Sequence, residues 1–241
     1  MKVKHLCMAV IAMAAMTACG DDNKEQPTPQ PGEGGKFEGV LFATSVTNAD
    51  GNSGAAYLQG IPKLTGNPVD NSKGLPTGFG ITPIVAPSGN VYSLPDYMGN
   101  SRSAIVRYVP NANGELVEKG KLELTAGAQA CNVVELNAEK AYVTSQATGK
   151  IIVFNPTTMK EMKEIDLNAY AQQGMNVAPS AMIIRDADLF VGLSQRNANW
   201  MPTKASVELV VVDTKTDAVK KHIVNETLGL STATRPIDPQ S

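Results

Sequence analysis

Apolar residues return along this chain in short alternating runs, not at the three-to-four spacing of a helix. The runs "VLFATS" (40–45), "VYSLPD" (91–96), "AYVTSQ" (141–146) and "LFVGLS" (189–194) read as one phrase repeated. With Leu41, Val91, Ala141 and Leu189 taken as equivalent, the steps are 50, 50 and 48 residues. Each run is followed by a second one: "AAYLQGI", "AIVRYVP", "KIIVFNP" and "VELVVVD". Three of these lead through "NANGE", "TTMK" and "KTDA" into a third run, and another apolar stretch precedes three of the four phrases. Val, Ile and Thr fill the runs, and Gly or Pro punctuates them, which disfavours helical repeats. The exception is "LNAYAQQG", 167–174, predicted as one or two helical turns.

Four short strands in a unit of about fifty residues lie within the range of propeller blades. Calling the strands A to D from the inside out, A and B are the most apolar and D carries Lys and Glu. That gradient is expected where inner strands are sandwiched between blades and outer edges meet water. The expected fold is therefore all-β, a β-propeller of four-stranded blades, with about three complete blades plus a partial one in an incomplete ring. The blades are expected at roughly 36–79, 80–126, 127–174 and 175–228, with 229–241 starting a further strand. The first unit has B, C and an irregular D but no A before Val40. A longer propeller is the preferred account. Closure as a four-bladed ring through Arg235-Pro236-Ile237-Asp238 is the alternative.

The N-terminus is built differently. Lys2 and Lys4 precede an apolar stretch, Leu6 to Met16, too short to span a bilayer and followed by Met16-Thr17-Ala18-Cys19. A basic start, a short apolar stretch and small residues mark a secretory leader, residues 1–18. The Cys after them resembles a bacterial lipobox, which implies that Cys19 becomes the lipid-bearing N-terminus. Gly20-Asp21-Asp22-Asn23 resembles the surface-export signal of Bacteroidota lipoproteins, and "QPTPQPGEGG" (26–35) reads as an extended tether. Residues 19–35 thus form an acidic, then Pro/Gly-rich spacer before a domain at 36–241. With Cys7 removed and Cys19 acylated, Cys131 stands alone and reads as a small core residue.

"KAYVTSQATGKIIVFNPTTMKEMKEIDL" resembles the Tyr-Val-Thr-Asn class of propeller repeat, with Ser145 where that class prefers Asn. Together with the lipobox and the opening "GVLFATSVTNADGNSGAAYLQGI", the chain resembles the propeller lipoproteins of Bacteroidota, several of which accompany outer-membrane transporters for ferric siderophores. The resemblance implies a lipid-anchored, surface-exposed outer-membrane protein that captures a small ligand. A ferric siderophore is the candidate, and a TonB-dependent transporter the partner. A protein- or glycan-interaction scaffold is one alternative, and a propeller hydrolase or lactonase another.

Loop lengths indicate where binding resides. The A–B and C–D turns are tight. The B–C loops "VTNADGNSG", "DYMGNSRS" and "QRNANWMPTKAS" are long, as are the D–A loops "GNPVDNSKGLPTG" and "NAYAQQGMNVA". Propeller topology places both long sets on one face, and elaborated loops on a rigid scaffold commonly carry function. Arg196, Lys204 and Trp200, the only tryptophan, share one of these loops. A guanidinium, an ammonium and an aromatic ring suit an anionic, ring-bearing ligand. Arg102 and Tyr97 are the matching candidates in the second blade. The alternative is that Trp200 plugs the blade edge while the cations stay solvated.

Composition narrows the chemistry. With 21 basic and 23 acidic side chains, the chain has no global field to hold nucleic acid. His222, on an outer D strand, is the one histidine beyond the leader, too few for a His/Cys zinc site and far from the axis for a Ser-His-Asp triad. No Walker loop or dinucleotide fingerprint occurs. Asp50, Asp70 and Asp96 leave calcium open, with scattered solvated acids the simpler account. The expectation is a non-enzymatic binding protein without a cofactor.

Overall fold

A computed structural model of the chain describes residues 40–51, 53–61, 72, 74–79, 83–95, 104–111, 115–201 and 207–225. The leader, Cys19, the tether and the final sixteen positions lie outside them. Among the described residues, fifteen strands form four antiparallel sheets in chain order. Sheet 1 holds β1 (Val40–Thr47), β2 (Gly54–Ile61) and β3 (Leu75–Thr77). Sheet 2 holds β4 (Ile84–Val85), β5 (Val91–Ser93), β6 (Ala104–Pro110) and β7 (Leu116–Glu123). Sheet 3 holds β8 (Ala130–Asn137), β9 (Lys140–Ser145), β10 (Lys150–Asn155) and β11 (Lys160–Asp166). Sheet 4 holds β12 (Pro179–Arg185), β13 (Asp188–Leu193), β14 (Val207–Asp213) and β15 (Ala218–Asn225). Each sheet is a meander whose strands pair in sequence order. This is a β-propeller of four-stranded blades, three of them complete and the first contributing three strands among the described residues.

Apolar side chains between successive sheets make the core. Between blades 2 and 3, Tyr92, Leu94 and Ile105 meet Ala141, Val143 and Phe154. Between blades 3 and 4, Tyr142, Ile151 and Val153 meet Leu189, Val191 and Val210. The layer between blades 1 and 2 is thinner, with Leu58, Val91 and Tyr108 as its fully buried members among the described residues. The innermost strands of neighbouring blades also touch, the Asn132 side-chain oxygen accepting the Met182 amide at 3.0 Å. Face-to-face packing with an inner strand contact is radial order, not two stacked sheets.

Polar ties on the tight-turn side reinforce two seams. Tyr92 and Tyr142 occupy equivalent places in β5 and β9, and each reaches a carboxylate of the following blade. The Tyr92 hydroxyl donates to Glu135, which also accepts Asn90 Nδ2 at 2.7 Å. The Tyr142 hydroxyl donates to Asp217 at 3.0 Å, and Lys140 pairs with the same oxygen at 2.7 Å. Burial and then the adjacent carboxylate push both phenols well above the ordinary tyrosine range. Tyr142→Phe is expected to cost about 1 kcal/mol at neutral pH. Because the folded phenol holds its proton more tightly than the unfolded one, the tie is fully present below about pH 10 and is lost as pH rises further. Thermal melts from neutral to strongly alkaline pH should therefore fall more steeply for wild type than for the variant.

The outer edges share a second device. In each complete blade the third and fourth strands are interrupted by a bulge, at Arg107/Tyr108, Val153/Phe154 and Val211/Val212. These leave Lys119, Met162 and Lys220 as the extra residues on β7, β11 and β15. A bulge twists an edge strand and blunts its use as a pairing template.

Two details differ from the sequence reading. Leu41 packs toward blade 2 with Leu58, whereas Val91, Ala141 and Leu189 each face the preceding blade. The repeat is therefore offset by one residue in blade 1, and Phe42, 40% exposed, takes the backward-facing place. Second, "GNPVDNSKGLPTG" is not wholly a D–A loop: Leu75–Thr77 pairs with Ala56–Leu58 as the outer strand of blade 1. The helical scrap is a single 3-10 turn, Asn168–Tyr170.

Candidate functional site

Among the described residues, the long-loop side of blade 4 is the best-built part of that face. The chain leaves β11 at Asp166, whose carboxylate accepts the Asn168 amide at 2.8 Å and so bends the chain. Those contacts hold the Asp166 carboxyl below the usual carboxylate range. Asn168 Nδ2 donates to the Thr148 carbonyl at 3.0 Å, fastening the connection to the B–C turn of blade 3. After the 3-10 turn the chain runs to Asn176, which exchanges two 2.7 Å backbone hydrogen bonds with Arg196. Ser194 and Gln195 continue the pairing with Ala178 and Val177. One D–A connection and one B–C loop thus form a two-stranded extension above blade 4.

Beyond Arg196 the loop turns on Asn197. Its side-chain oxygen accepts the amides of Asn199 and Met201, both at 2.9 Å, while its backbone bonds Trp200 and Met201. Asn is suited to this because its short side chain substitutes for backbone turn contacts. Trp200 is held at φ 61°, a left-handed conformation uncommon for a bulky residue. Arg196 Nη1 donates to the Trp200 carbonyl at 2.9 Å. Arg196 Nε and Trp200 Nε1 are both buried without a hydrogen-bond partner among the described residues. Buried donors are normally paired, and leaving one unpaired costs about 1–3 kcal/mol.

Beneath this loop lies a polar network that the sequence reading did not find. Glu208, near the start of β14, has a side chain only 3% exposed. It accepts hydrogen bonds from Gln172 Nε2 and, at 2.7 Å, from Gln195 Nε2. Gln195 also donates to the Tyr170 carbonyl at 2.9 Å and accepts the Gln172 amide at 3.0 Å. His222 Nε2, on β15, stands 3.5 Å from Glu208 Oε2, and its ring leans on Tyr170 with centroids 5.1 Å apart. Above these groups opens a cleft of about 520 Å³, lined by residues 169–173, Glu208, His222 and Val224.

The structure thus brings Arg196 and Trp200 into one braced loop, with the ring half-buried. Lys204, Arg102, Tyr97 and Cys19 lie outside the described residues. Asp50 serves its own turn, accepting Ser53 through backbone and side chain. Asp70 and Asp96 are also outside the described residues. Among the described residues no group of three or more His, Cys, Asp or Glu side chains gathers to hold a metal ion. Cys131 is half-buried, 3.3 Å from the Thr144 hydroxyl.

No protein-family model matches the sequence, and no curated protein matches it significantly. Similar solved structures exist at low identity. AztD of Citrobacter koseri is 14% identical over 80% of this chain and 60% of its own, with a TM-score of 0.46. The dihydro-heme d1 dehydrogenase NirN is 11% identical over 79% of this chain and 38% of its own, with a TM-score of 0.45. A protein of unknown function from Bacteroides caccae is 12% identical over 80% of this chain and 71% of its own, with a TM-score of 0.42. The chain thus spans well under half the length of NirN.

Proposed function

We propose that this chain is a non-enzymatic binding propeller whose long-loop face captures an anionic, ring-bearing small ligand. The observation carrying this reading is the pair of buried donors, Arg196 Nε and Trp200 Nε1, that have no hydrogen-bond partner among the described residues, in a loop braced by the Arg196–Trp200 and Asn197–Met201 hydrogen bonds. A ligand bearing oxygen acceptors would satisfy both and stack on the indole. A ferric siderophore has that chemistry, and the lipobox-like Cys19 agrees with an anchored protein handing it to an outer-membrane transporter.

Trp200 is the chain's single tryptophan, so intrinsic fluorescence reports on this loop alone. Titration with ferric tris-catecholate and ferric trihydroxamate chelates is expected to give saturable quenching, matched by co-elution on gel filtration. Arg196→Ala should weaken binding by about tenfold to a hundredfold, the worth of a charge-assisted hydrogen bond. Chelates that neither quench nor co-elute would remove siderophore capture.

A further inference from the structure

We propose that the exposed face of blade 1 docks head to tail on blade 4 of a second copy of this chain, so that two copies close a ring of eight blades. The described seams follow one rule: the face a blade turns to its successor meets the face its successor turns back. At the seam between blades 3 and 4, Tyr142, Ile151, Val153 and Ile165 make up the forward face. Strand pairing puts Phe190, Leu209, Val211 and Ile223 at the same four places in blade 4. Tyr142 pairs with Val153 as Phe190 does with Val211, and Ile151 pairs with Ile165 as Leu209 does with Ile223. Blade 4 therefore carries a forward face of the same apolar make-up. Tyr142, Ile151 and Ile165 are buried beneath blade 4, whereas Phe190, Leu209 and Ile223, around the buried Val211, remain half-buried. Even the polar tie has its counterpart. Lys163 donates to the Thr216 carbonyl of blade 4 at 3.2 Å, and Lys221 stands at the equivalent place on β15.

At the other end, Val40, Phe42, Val46 and Tyr57 share the backward face of blade 1 and are 40–58% exposed. Their exposure shows that blade 4 of the same chain does not close on them. All eight paired positions on that face are uncharged, so a forward face can settle there without stranding a charge. Contiguous apolar surface of this kind marks a contact, and burying it is favourable in proportion to its area. A second copy supplies the matching surface by the packing already seen at the seam between blades 3 and 4. Four blades of eight make half a turn, so a two-fold axis repeats the contact and closes the ring instead of extending a filament. Eight blades is the upper end of the usual propeller range, about four to eight. The inference does not depend on what the loop of Trp200 binds.

Gel filtration with light scattering of the full chain should give the mass of two chains. Phe42→Asp charges the blade 1 face and Phe190→Asp the blade 4 face. Each is expected to raise the dissociation constant at least about a hundredfold and to give the mass of one chain. Each variant keeps the face the other has lost, so their equimolar mixture should recover two-chain particles through one intact contact. Far-ultraviolet circular dichroism checks that the strands survive; if either variant fails to fold, Tyr57→Lys and Ile223→Lys charge the same two faces. A one-chain mass for wild type at about 100 µM would overturn the proposal, whether the blade 1 face is then bare or covered by residues of its own chain. So would a mixture that stays at one chain at that concentration, or a mass that climbs past two chains as in an open filament. Dissociation by Phe42→Asp but not by Phe190→Asp would place blade 1 on blade 1 and overturn the head-to-tail order.

Discussion

Phe154→Ala should lower the stability of the propeller by about 3–5 kcal/mol, the usual cost of emptying a large aromatic site in a packed core. Phe154 is fully buried in the layer between blades 2 and 3 and meets the Tyr92 ring edge-on, with centroids 6.2 Å apart. The loss has three sources: transfer of the ring, the cavity left behind, and the edge-to-face contact, worth about 0.5–1.5 kcal/mol by itself. Tyr92 cannot swing into the space, because its hydroxyl is held by Glu135 on the opposite blade. In a chain of this length 1 kcal/mol moves the midpoint by about 2–4 °C, so the melt should drop by about 6–20 °C. Phe154→Leu should cost less, about 1–2 kcal/mol, because the leucine refills part of the space. Denaturant titration with far-ultraviolet circular dichroism checks both. A change within 1 kcal/mol for the alanine variant would mean that the blades are not packed through this residue.

Gly149→Ala is expected to cost about 2–4 kcal/mol, for two separable reasons. Gly149 closes the B–C turn of blade 3 at φ 69°, where an L side chain costs about 1–2 kcal/mol. An added Cβ would also stand 2.2 Å from Asn168 Oδ1 and 2.9 Å from a Val177 methyl. Asn168 is not free to retreat, since its amide nitrogen bonds the Thr148 carbonyl and the Asp166 carboxylate. A double-mutant cycle resolves the two parts. In an Asn168→Ala background the glycine substitution should cost measurably less, the remainder being backbone strain and the contact with Val177. Strict additivity of the two single changes would show that crowding contributes nothing.

These two sites also show why much of the fold was legible. The "TSQATGK" stretch carries a Gly where a tight turn needs a left-handed residue, and the flanking "AYV" and "IIVF" alternate or run apolar as inner strands do. The turns "NPTTM" and "DTKTD" are equally readable. Asn155 and Asp213 accept the amides of the following residues, and Met159 and Asp217 close with positive φ. Blade 1 was less legible for a physical reason. "VLF" at 40–42 is apolar at successive positions, so alternation cannot say which side faces the neighbour, and the register slipped by one. Likewise "LPT" is too short, and Pro too unusual in a strand, for pattern alone to separate β3 from its loop.

For the site, Arg196 and Trp200 were visible because a lone tryptophan beside a cation in a long loop is rare in this composition. Glu208 was not singled out, because "VELVVVD" reads as an ordinary strand with one polar residue. The available clue was parity: Glu208 stands two and four residues before Val210 and Val212, on the face that has to be buried. Its partners Gln172, Gln195 and His222 come from three separate segments, and no spacing along the chain announces that they meet.

The unequal seams between blades set an order in which the molecule comes apart. A chain held at its two ends and drawn out resembles a zipper whose first tooth is shallow. The sheet of β1 to β3, whose described core contact with blade 2 is Leu58, Val91 and Tyr108, is expected to peel away before the others loosen. Blades 3 and 4, clasped by Tyr142, Lys140 and Asp217 as well as by their apolar layer, are expected to release last and to carry the loop of Trp200 with them.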